Sequence, residues 1–352
     1  MTEGRQAWVV GRRQVDLVRI DVPLPLPGEV LVRSSHAGIC GSDLHTWNDG
    51  HSWLPYPICP GHEATGWVTS VGDGVTEFTS GEAVVLRPII NCGTCFMCLR
   101  SQSNLCENLR AVGAHNAGAM ADYFVAPATS LIPLPSGISM SAGAMVEPLS
   151  CVVHAARLIG GVQGKTVTVI GAGSIGLLAM LNALASGADR VVVTDTVASK
   201  RSIAESLGAH AAIDAGHAEI DKVIRRELEG RPDVVLDCVG SPSSVRFAAH
   251  LAQPGGRVAV VGVCSGTVEL PVGVLQDREV MVAGSAMYLP DDFDRALELV
   301  AGGLPVERLV TCEVELDDVS RGFELAASGA EVKVHVVTNE FPAQPVPTWR
   351  ST

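Results

Sequence analysis

The feature that most constrains the fold is an uncharged run at residues 166–188, TVTVIGAGSIGLLAMLNALASGA. The run is long enough to span a bilayer. Its glycines and its strand-like first residues predict instead a buried strand, a tight turn and a helix. From about residue 150 onward, Val- and Ile-rich strands alternate with helical patterns. This alternation is typical of a parallel sheet covered by helices on both faces.

The turn of this run, GAGSIG, fits the pattern G-x-G-x-x-G between a strand and a helix. Gly171 permits the tight turn, and Gly173 lets backbone N–H groups approach a pyrophosphate. Gly176 allows the helix to pack closely on the strand, while Ser174 and Ile175 lie in the first helical turn, where anions are favoured. A purely structural glycine turn is the alternative, but this context favours a dinucleotide site.

The choice of dinucleotide depends on Asp195, which ends the following predicted strand. A carboxylate at this position accepts hydrogen bonds from ribose hydroxyls and repels a 2′-phosphate. The sequence therefore predicts NAD. Lys200 and Arg201 follow closely, and we expect Lys200 to line the cofactor site, although both cations equally fit exposed positions on a helix.

Length and charge limit the remaining classes of protein. A chain of 352 residues favours about two domains. The net charge of −13 argues against a nucleic-acid partner, because no basic patch offsets it. The first residues lack the pattern of a secretory signal. We therefore expect a soluble cytoplasmic protein with no membrane partner.

Four cysteines cluster within residues 91–107, namely Cys92, Cys95, Cys98 and Cys106. In a reducing compartment such clusters indicate metal binding rather than disulfides. The spacing C-x2-C-x2-C-x7-C supplies the four thiolates of a closed structural zinc site. An iron–sulfur cluster is the main alternative, but seven residues rather than three precede the fourth cysteine, and Glu107 rather than proline follows it. A closed site leaves no position for a substrate, so catalysis must lie elsewhere.

A second metal set is formed by Cys40, His62 and Glu147. Each of them alone fits an ordinary structural role, as a small buried side chain, a core histidine or a charge at a helix start. Together with a dinucleotide motif, they match the three protein ligands of a catalytic zinc, whose fourth position stays open.

Several motifs in order over the whole length carry a family resemblance: GICGSDLH, PGHEATG, SVGDGV, the four-cysteine lobe, EPLS and GAGSIG. The chain resembles the zinc-dependent medium-chain dehydrogenases/reductases of the alcohol dehydrogenase superfamily, in the sorbitol and threonine dehydrogenase-like branch. The resemblance implies an α/β protein in which a GroES-like β-rich catalytic domain, residues 1–150 and 288–352, encloses a doubly wound Rossmann domain, residues 151–287. It also implies a homotetramer or homodimer.

The resemblance further implies roles at the catalytic zinc. Cys40 and His62 match two ligands. Glu63 matches a glutamate that ligates zinc or holds its water, and Glu147 matches the acidic ligand or near-ligand of the polyol branch. Asp43 matches the carboxylate that orients the zinc-bound His62.

The implied reaction is hydride transfer between a secondary alcohol or polyol, or its ketone, and NAD(H). It uses two zinc ions per chain, a zinc-bound alkoxide, and a proton relay through Ser42 and His45. Amino-alcohol, keto-sugar and cyclitol dehydrogenases of the same family remain alternatives, as does a non-catalytic binder of NAD and metal. The segment between the two metal motifs departs from any one known enzyme. Two roles therefore remain open for His51, Trp53 and Cys59, as walls of the substrate pocket or as residues that pack a surface loop.

Overall fold

The structure is a computed structural model that describes residues 3–49, 56–264 and 266–339. His51 and Trp53 therefore lie outside the described residues. The chain divides into two compact units. Unit 1 comprises Met1–Glu147 together with Val310–Thr352, and unit 2 comprises Pro148–Leu309.

The described strands carry the labels β1 to β17 in chain order. Their bounds are β1 Glu3–Gly11, β2 Gln14–Asp21, β3 Glu29–Gly38, β4 Glu63–Val71, β5 Ala83–Leu86, β6 Ile89–Ile90, β7 Arg110–Ala111, β8 Tyr123–Pro127, β9 Leu131–Pro133, β10 Thr166–Ile170, β11 Arg190–Asp195, β12 Ala211–Asp214, β13 Val234–Asp237, β14 Arg257–Val260, β15 Met281–Gly284, β16 Val310–Glu315 and β17 Lys333–Val337.

The described α-helices carry the labels α1 to α10. Their bounds are α1 Gly41–Asp49, α2 Met140–Ala144, α3 Val146–Leu158, α4 Ser174–Ala185, α5 Ala198–Ser206, α6 Ile220–Glu227, α7 Pro242–Leu251, α8 Val272–Arg278, α9 Pro290–Ala301 and α10 Val319–Ser328.

Unit 1 is built on one large sheet with the order β16-β17-β3-β4-β5-β9, and β8 also pairs with β3. Only β16 and β17 run parallel, and the other pairs of this sheet are antiparallel. Apolar residues at alternating positions, such as Val30 and Val32 of β3, are wholly buried in its core. Cys40 lies between the carboxyl end of β3 and the start of α1. Because β17 pairs with β3, both ends of the chain build the sheet that positions Cys40.

Unit 2 contains a six-stranded sheet with the order β12-β11-β10-β13-β14-β15, in which every pair is parallel. The uncharged run resolves into β10 and the mostly buried helix α4, which confirms the predicted strand, turn and helix. In the part of the chain that the structure describes, none of the helices has both the length and the apolar character needed to span a bilayer. The predicted fold class, a Rossmann sheet domain plus a β-rich domain, is confirmed.

The second boundary between the units differs from the expected one at residue 287, because unit 2 continues to Leu309. Helix α9 buries Phe293, Ala296 and Val300. Its Asp292 accepts hydrogen bonds from Arg157 of α3, at 2.7 and 2.9 Å. The helix therefore packs on unit 2, although its sequence pattern alone does not show which unit it joins.

Candidate functional site

The four thiols of the predicted lobe lie close together in unit 1. One ligand atom from each of Cys92, Cys95, Cys98 and Cys106 falls within 4.8 Å of all the others. Two Sγ–Sγ distances are 3.5 Å, between Cys106 and Cys92, and 3.9 Å, between Cys95 and Cys106. These separations are far longer than the roughly 2.05 Å of a disulfide bond.

The lobe fits one zinc ion. Tetrahedral thiolates at a Zn–S distance of about 2.3 Å lie about 3.8 Å apart, close to the separations observed here. An iron–sulfur cluster holds its thiolates on different iron atoms and needs a wider arrangement, so the geometry favours zinc. Backbone N–H groups of Thr94 and Cys95 lower the pKa of Cys92 to about 5, which favours the thiolate that a metal requires.

A second set of ligand atoms is formed by Cys40, His62 and Glu63, again within 4.8 Å of one another. Cys40 follows β3, and His62 immediately precedes β4, whose first residue is Glu63. Because Gly38 pairs with Glu63 in the antiparallel register of β3 and β4, the sheet itself brings the two motifs together. A thiol, an imidazole and a carboxylate are a donor set that zinc accepts in catalytic sites.

Asp43 is buried at the start of α1 and contacts two members of this set. Its Oδ2 accepts the backbone N–H of Cys40 at 2.9 Å, and its Oδ1 lies 3.7 Å from Nδ1 of His62. Burial opposes a charge on His62, but Asp43 and Cys40 outweigh it and raise the pKa of His62 well above its ordinary value. The position of Asp43 suits a carboxylate that orients a metal-binding imidazole.

Lys333 also belongs to this centre, although its sequence context did not predict it. This residue of β17 is 3% exposed, forms an ion pair with Glu63, and donates a hydrogen bond to the carbonyl of Ile39 at 3.1 Å. Burial lowers the pKa of Lys333, but the neighbouring Glu63 and Cys40 more than offset this, so the pKa lies above its ordinary value. A Cβ atom at Gly38 would collide with the carboxylate of Glu63, so glycine is needed here for space. The sequence holds part of the signal, because a lysine in the strand-like run KVHVV needs a buried partner, but the run does not show which residue that partner is.

The remaining predicted residues of this centre lie on two helices. Glu147, at the start of α3, is 6% exposed and interacts electrostatically with His62, but it lies outside the group of three ligands. Ser42 is half-buried and His45 is exposed, and both belong to α1 rather than to a loop. Their spacing of three places them on one face of that helix. Cys59 is buried, and its thiol contacts the carbonyl of Gly118 at 3.7 Å.

The glycine loop of unit 2 has the conformation that a dinucleotide needs. Gly171 has a φ of +93°, which favours glycine, and a Cβ atom at Gly176 would collide with the carbonyl of Gly171. Gly173 begins α4 with no side-chain cap and with open space where a Cβ atom would be. Ser174 Oγ is buried and has no hydrogen-bond partner among the described residues. Ile175 follows it in the first turn of α4. An uncapped helix start with an orphan hydroxyl suits a bound phosphate.

Asp195 ends β11 beside this loop. One carboxylate oxygen accepts the N–H of Ala172 at 2.7 Å, and the other accepts the N–H of Val197 at 2.8 Å. Neither nearby cation is an exposed helix charge. Lys200 is 9% exposed, and Arg201 donates to the carbonyl of Asp195 at 2.9 Å. Each carboxylate oxygen of Asp195 retains a lone pair for a ribose hydroxyl.

Comparison with known proteins agrees with this geometry. Residues 26–136 match the family described as "Alcohol dehydrogenase GroES-like domain", and residues 174–302 match "Zinc-binding dehydrogenase". Sorbitol dehydrogenase of Bombyx mori is 34% identical, over 95% of this chain and 98% of its own length. L-threonine 3-dehydrogenase of Chelativorans sp. (strain BNC1) is 32% identical, over 95% and 99%.

Among solved structures, a protein of Sinorhizobium meliloti 1021 described as a zinc-binding dehydrogenase bound to NADP superposes with a TM-score of 0.90. It is 31% identical, and the match covers 96% of this chain and 100% of that one. The predicted family is thereby confirmed. The chain belongs to the zinc-dependent alcohol dehydrogenase superfamily and is an oxidoreductase that uses zinc and a nicotinamide cofactor.

Proposed function

We propose that this protein transfers hydride between a secondary alcohol or polyol, or the corresponding ketone, and NAD(H). The observation that carries the proposal is the group formed by Cys40, His62 and Glu63, in a chain that also has an NAD-type loop. The similarity to a sorbitol dehydrogenase supports a polyol. The similarity to an L-threonine 3-dehydrogenase supports the second candidate, an amino alcohol.

The two ligand groups support two zinc ions per chain. Cys92, Cys95, Cys98 and Cys106 hold the structural ion. Cys40, His62 and an acidic side chain, Glu63 or Glu147, hold the catalytic one. When bound, zinc supplies a Lewis acid that acidifies an alcohol, and NAD supplies the hydride acceptor.

The side chains around Cys40 prepare this chemistry. Asp43 fixes the direction of the His62 ring through the contact at 3.7 Å. Ser42 and His45 carry the alcohol proton to solvent, since the first is half-buried and the second exposed on the same helix face. Lys333 holds the carboxylate of Glu63 in place inside the sheet through their ion pair. These residues all belong to unit 1, which we assign as the catalytic domain, and unit 2 is the cofactor domain.

NAD rather than NADP is favoured by the carboxylate of Asp195, which repels a 2′-phosphate. The S. meliloti relative was solved with NADP, so the choice needs a direct test. Asp195→Ala should raise the relative efficiency with NADP+, measured as the ratio of kcat/KM values for the two cofactors. A wild-type preference for NADP+ would show that Arg201 or Lys200 outweighs the carboxylate.

The reaction itself is tested by an NADH-fluorescence screen over polyols, amino alcohols, aryl alcohols and cyclitols, with Cys40→Ala as the inactive control. We expect turnover with at least one alcohol class in the wild type and none in the variant. Calorimetric binding of NAD+ without turnover on any alcohol would favour a non-catalytic binder.

Assembly and location are further parts of the proposal. The strand β15 is at an edge of its sheet, and its Met281 is 57% exposed. An open apolar edge supports a homodimer or homotetramer, which light scattering would measure. All ten cysteines are free thiols, which supports a reducing compartment such as the cytoplasm.

A further inference from the structure

The crevice of unit 2 lies where the order of the strands reverses. From β10 the chain proceeds to β11 on one side, and from β13 it proceeds to β14 on the other. In sheets of this kind the carboxyl ends of the two central strands diverge and leave room for a ligand. The glycine loop after β10 is one wall of this room. The loop that follows β13, residues 238–241, faces it.

Val239 of this second loop packs directly on the glycine loop. A Cβ atom at Gly171 would lie 2.8 Å from Cγ2 of Val239. The side chain of Val239 is nevertheless 49% exposed. An apolar side chain that is half-exposed at the ligand end of a parallel sheet offers a contact surface for a ring of the cofactor.

One buried carboxylate holds the second loop in this position. Asp237 ends β13 and is 0% exposed, and within the part of the chain that the structure describes its partners are hydrogen-bond donors rather than cations. Its Oδ1 accepts the N–H groups of Val239 at 3.0 Å and Gly240 at 3.3 Å, and its Oδ2 accepts the hydroxyl of Ser244 at 2.9 Å. Burying a carboxylate is costly unless hydrogen bonds compensate it, so these contacts hold the turn strongly.

The backbone around Asp237 leaves the turn little freedom. Its carbonyl accepts the N–H groups of Val261 at 2.8 Å and Gly262 at 3.0 Å. Gly240 has a φ of +69°, and a Cβ atom there would collide with Gly262. These constraints keep the apolar side chain of Val239 against the glycine loop.

We propose that Asp237 is a positioning residue for the dinucleotide, acting through Val239. Asp237 holds the turn so that Val239 stays against Gly171 and forms the apolar wall opposite the phosphate-binding loop. The inference rests on the proposed function, because it requires that unit 2 binds NAD.

A matched control residue lies at the opposite end of β13. Asp233 immediately precedes β13 and accepts the N–H and hydroxyl of Thr166, both at 2.7 Å, and the amide of Gln253. It stands at the amino end of the strand, away from the crevice. Asp233→Ala therefore removes a comparable set of hydrogen bonds without touching the second loop.

The experiment measures NAD+ affinity by calorimetry, with Tm measured in parallel, on the wild type and on four single variants. These are Asp237→Ala, Asp237→Asn, Val239→Ala and Asp233→Ala. We expect Asp237→Ala to weaken NAD+ binding about tenfold, whereas Asp233→Ala lowers Tm and leaves affinity within about twofold. Asp237→Asn should restore most of the affinity, because its amide oxygen still accepts the N–H groups of the turn.

The double variant Asp237→Ala/Val239→Ala separates positioning from general destabilisation. If Asp237 acts through Val239, its replacement adds little once Val239 is already alanine. Additive losses, or equal affinity losses in Asp237→Ala and Asp233→Ala, would overturn the inference. Wild-type protein that does not bind NAD+ would instead refute the proposed function. If Asp237→Ala does not fold, an unchanged affinity in Val239→Ala overturns the inference equally.

Discussion

The two candidate metal centres belong to the same unit but are built in opposite ways. The four-cysteine lobe takes every ligand from residues 92–106 and holds its thiolates with backbone N–H groups, such as that of Cys95 on Cys92 at 3.3 Å. The candidate centre at Cys40 draws its donor atoms from the adjoining ends of β3 and β4, and its Glu63 is paired with Lys333 on a third strand. A local site depends on spacing, whereas a site spread over a sheet depends on register and on buried charges.

The largest expected effects are a loss of turnover when the Cys40 centre is disrupted and a loss of thermal stability when the lobe is disrupted. Cys40→Ala should abolish turnover and leave the Tm nearly unchanged, because it removes one ligand of an open site on an intact sheet. Cys98→Ala should lower the Tm by at least about 5 °C, because a structural metal contributes folding free energy. Turnover and Tm measured on both variants test the contrast. Full activity in Cys40→Ala would break it.

Metal removal should empty the Cys40 centre before it empties the four-cysteine lobe. Dialysis against dipicolinate at neutral pH should remove activity first, because an open site exposes its ion to a chelator. The lobe should keep its zinc until a mercurial thiol reagent is added, and the Tm should fall only then. Zinc release is followed with a colorimetric indicator while activity and Tm are recorded. Loss of both ions in a single phase would contradict the comparison.

Replacing Lys333 tests whether the Cys40 centre depends on a charge that is distant in sequence. Lys333→Met leaves Glu63 buried without its partner and should lower the free energy of unfolding by about 3–5 kcal/mol. The control Arg295→Met breaks a surface pair, with Glu298 at 3.0 Å, in which both side chains are more than half exposed. It should cost about 1 kcal/mol or less.

Denaturant unfolding and zinc analysis check the Lys333 prediction. We expect Lys333→Met to lose zinc from the Cys40 centre and to keep it in the lobe. Adding Glu63→Gln to Lys333→Met should recover part of the stability, because the unpaired charge is then gone. A cost no greater than that of Arg295→Met would mean that the pair contributes little.

The smallest expected effect concerns the proton path. If His45 accepts a proton from Ser42, His45→Gln should slow alcohol oxidation at least about tenfold at pH 7. The loss should shrink as pH rises, because hydroxide then removes the proton directly. Rates with saturating NAD+ over pH 6–10 give the comparison, with the exposed surface residue His217, bonded to Glu219 N–H at 3.1 Å, as the site of a matched His→Gln control. A loss that is constant with pH would mean that His45 shapes the pocket.

The same contrast explains what could be predicted from the sequence. The lobe and the glycine loop are local, so spacing alone located Cys92 to Cys106 and Gly171 to Gly176. Cys40 and His62 were also found, because each lies in a short motif. Lys333 was not found, since nothing near it in sequence shows that β17 lies beside β3. Strand order is a property of the whole sheet, which no single motif contains.

The domain boundary and the two cations after β11 show the same limit. The pattern of α9 shows an apolar face but not the surface that it covers, whereas contacts such as that of Asp292 with Arg157 show that it joins unit 2. The sequence left two positions open for Lys200 and Arg201, the cofactor site or an exposed helix face. The position of Arg201 depends on contacts with Asp195 and Asp214, which lie on neighbouring strands.

The most direct test of two centres with separate roles is the zinc content per chain, measured by mass spectrometry on the wild type, Cys40→Ala and Cys98→Ala. We expect about two zinc ions in the wild type and about one in each variant, with turnover absent only where the Cys40 centre is empty. One zinc ion per wild-type chain, retained in Cys40→Ala together with full turnover, would contradict the account.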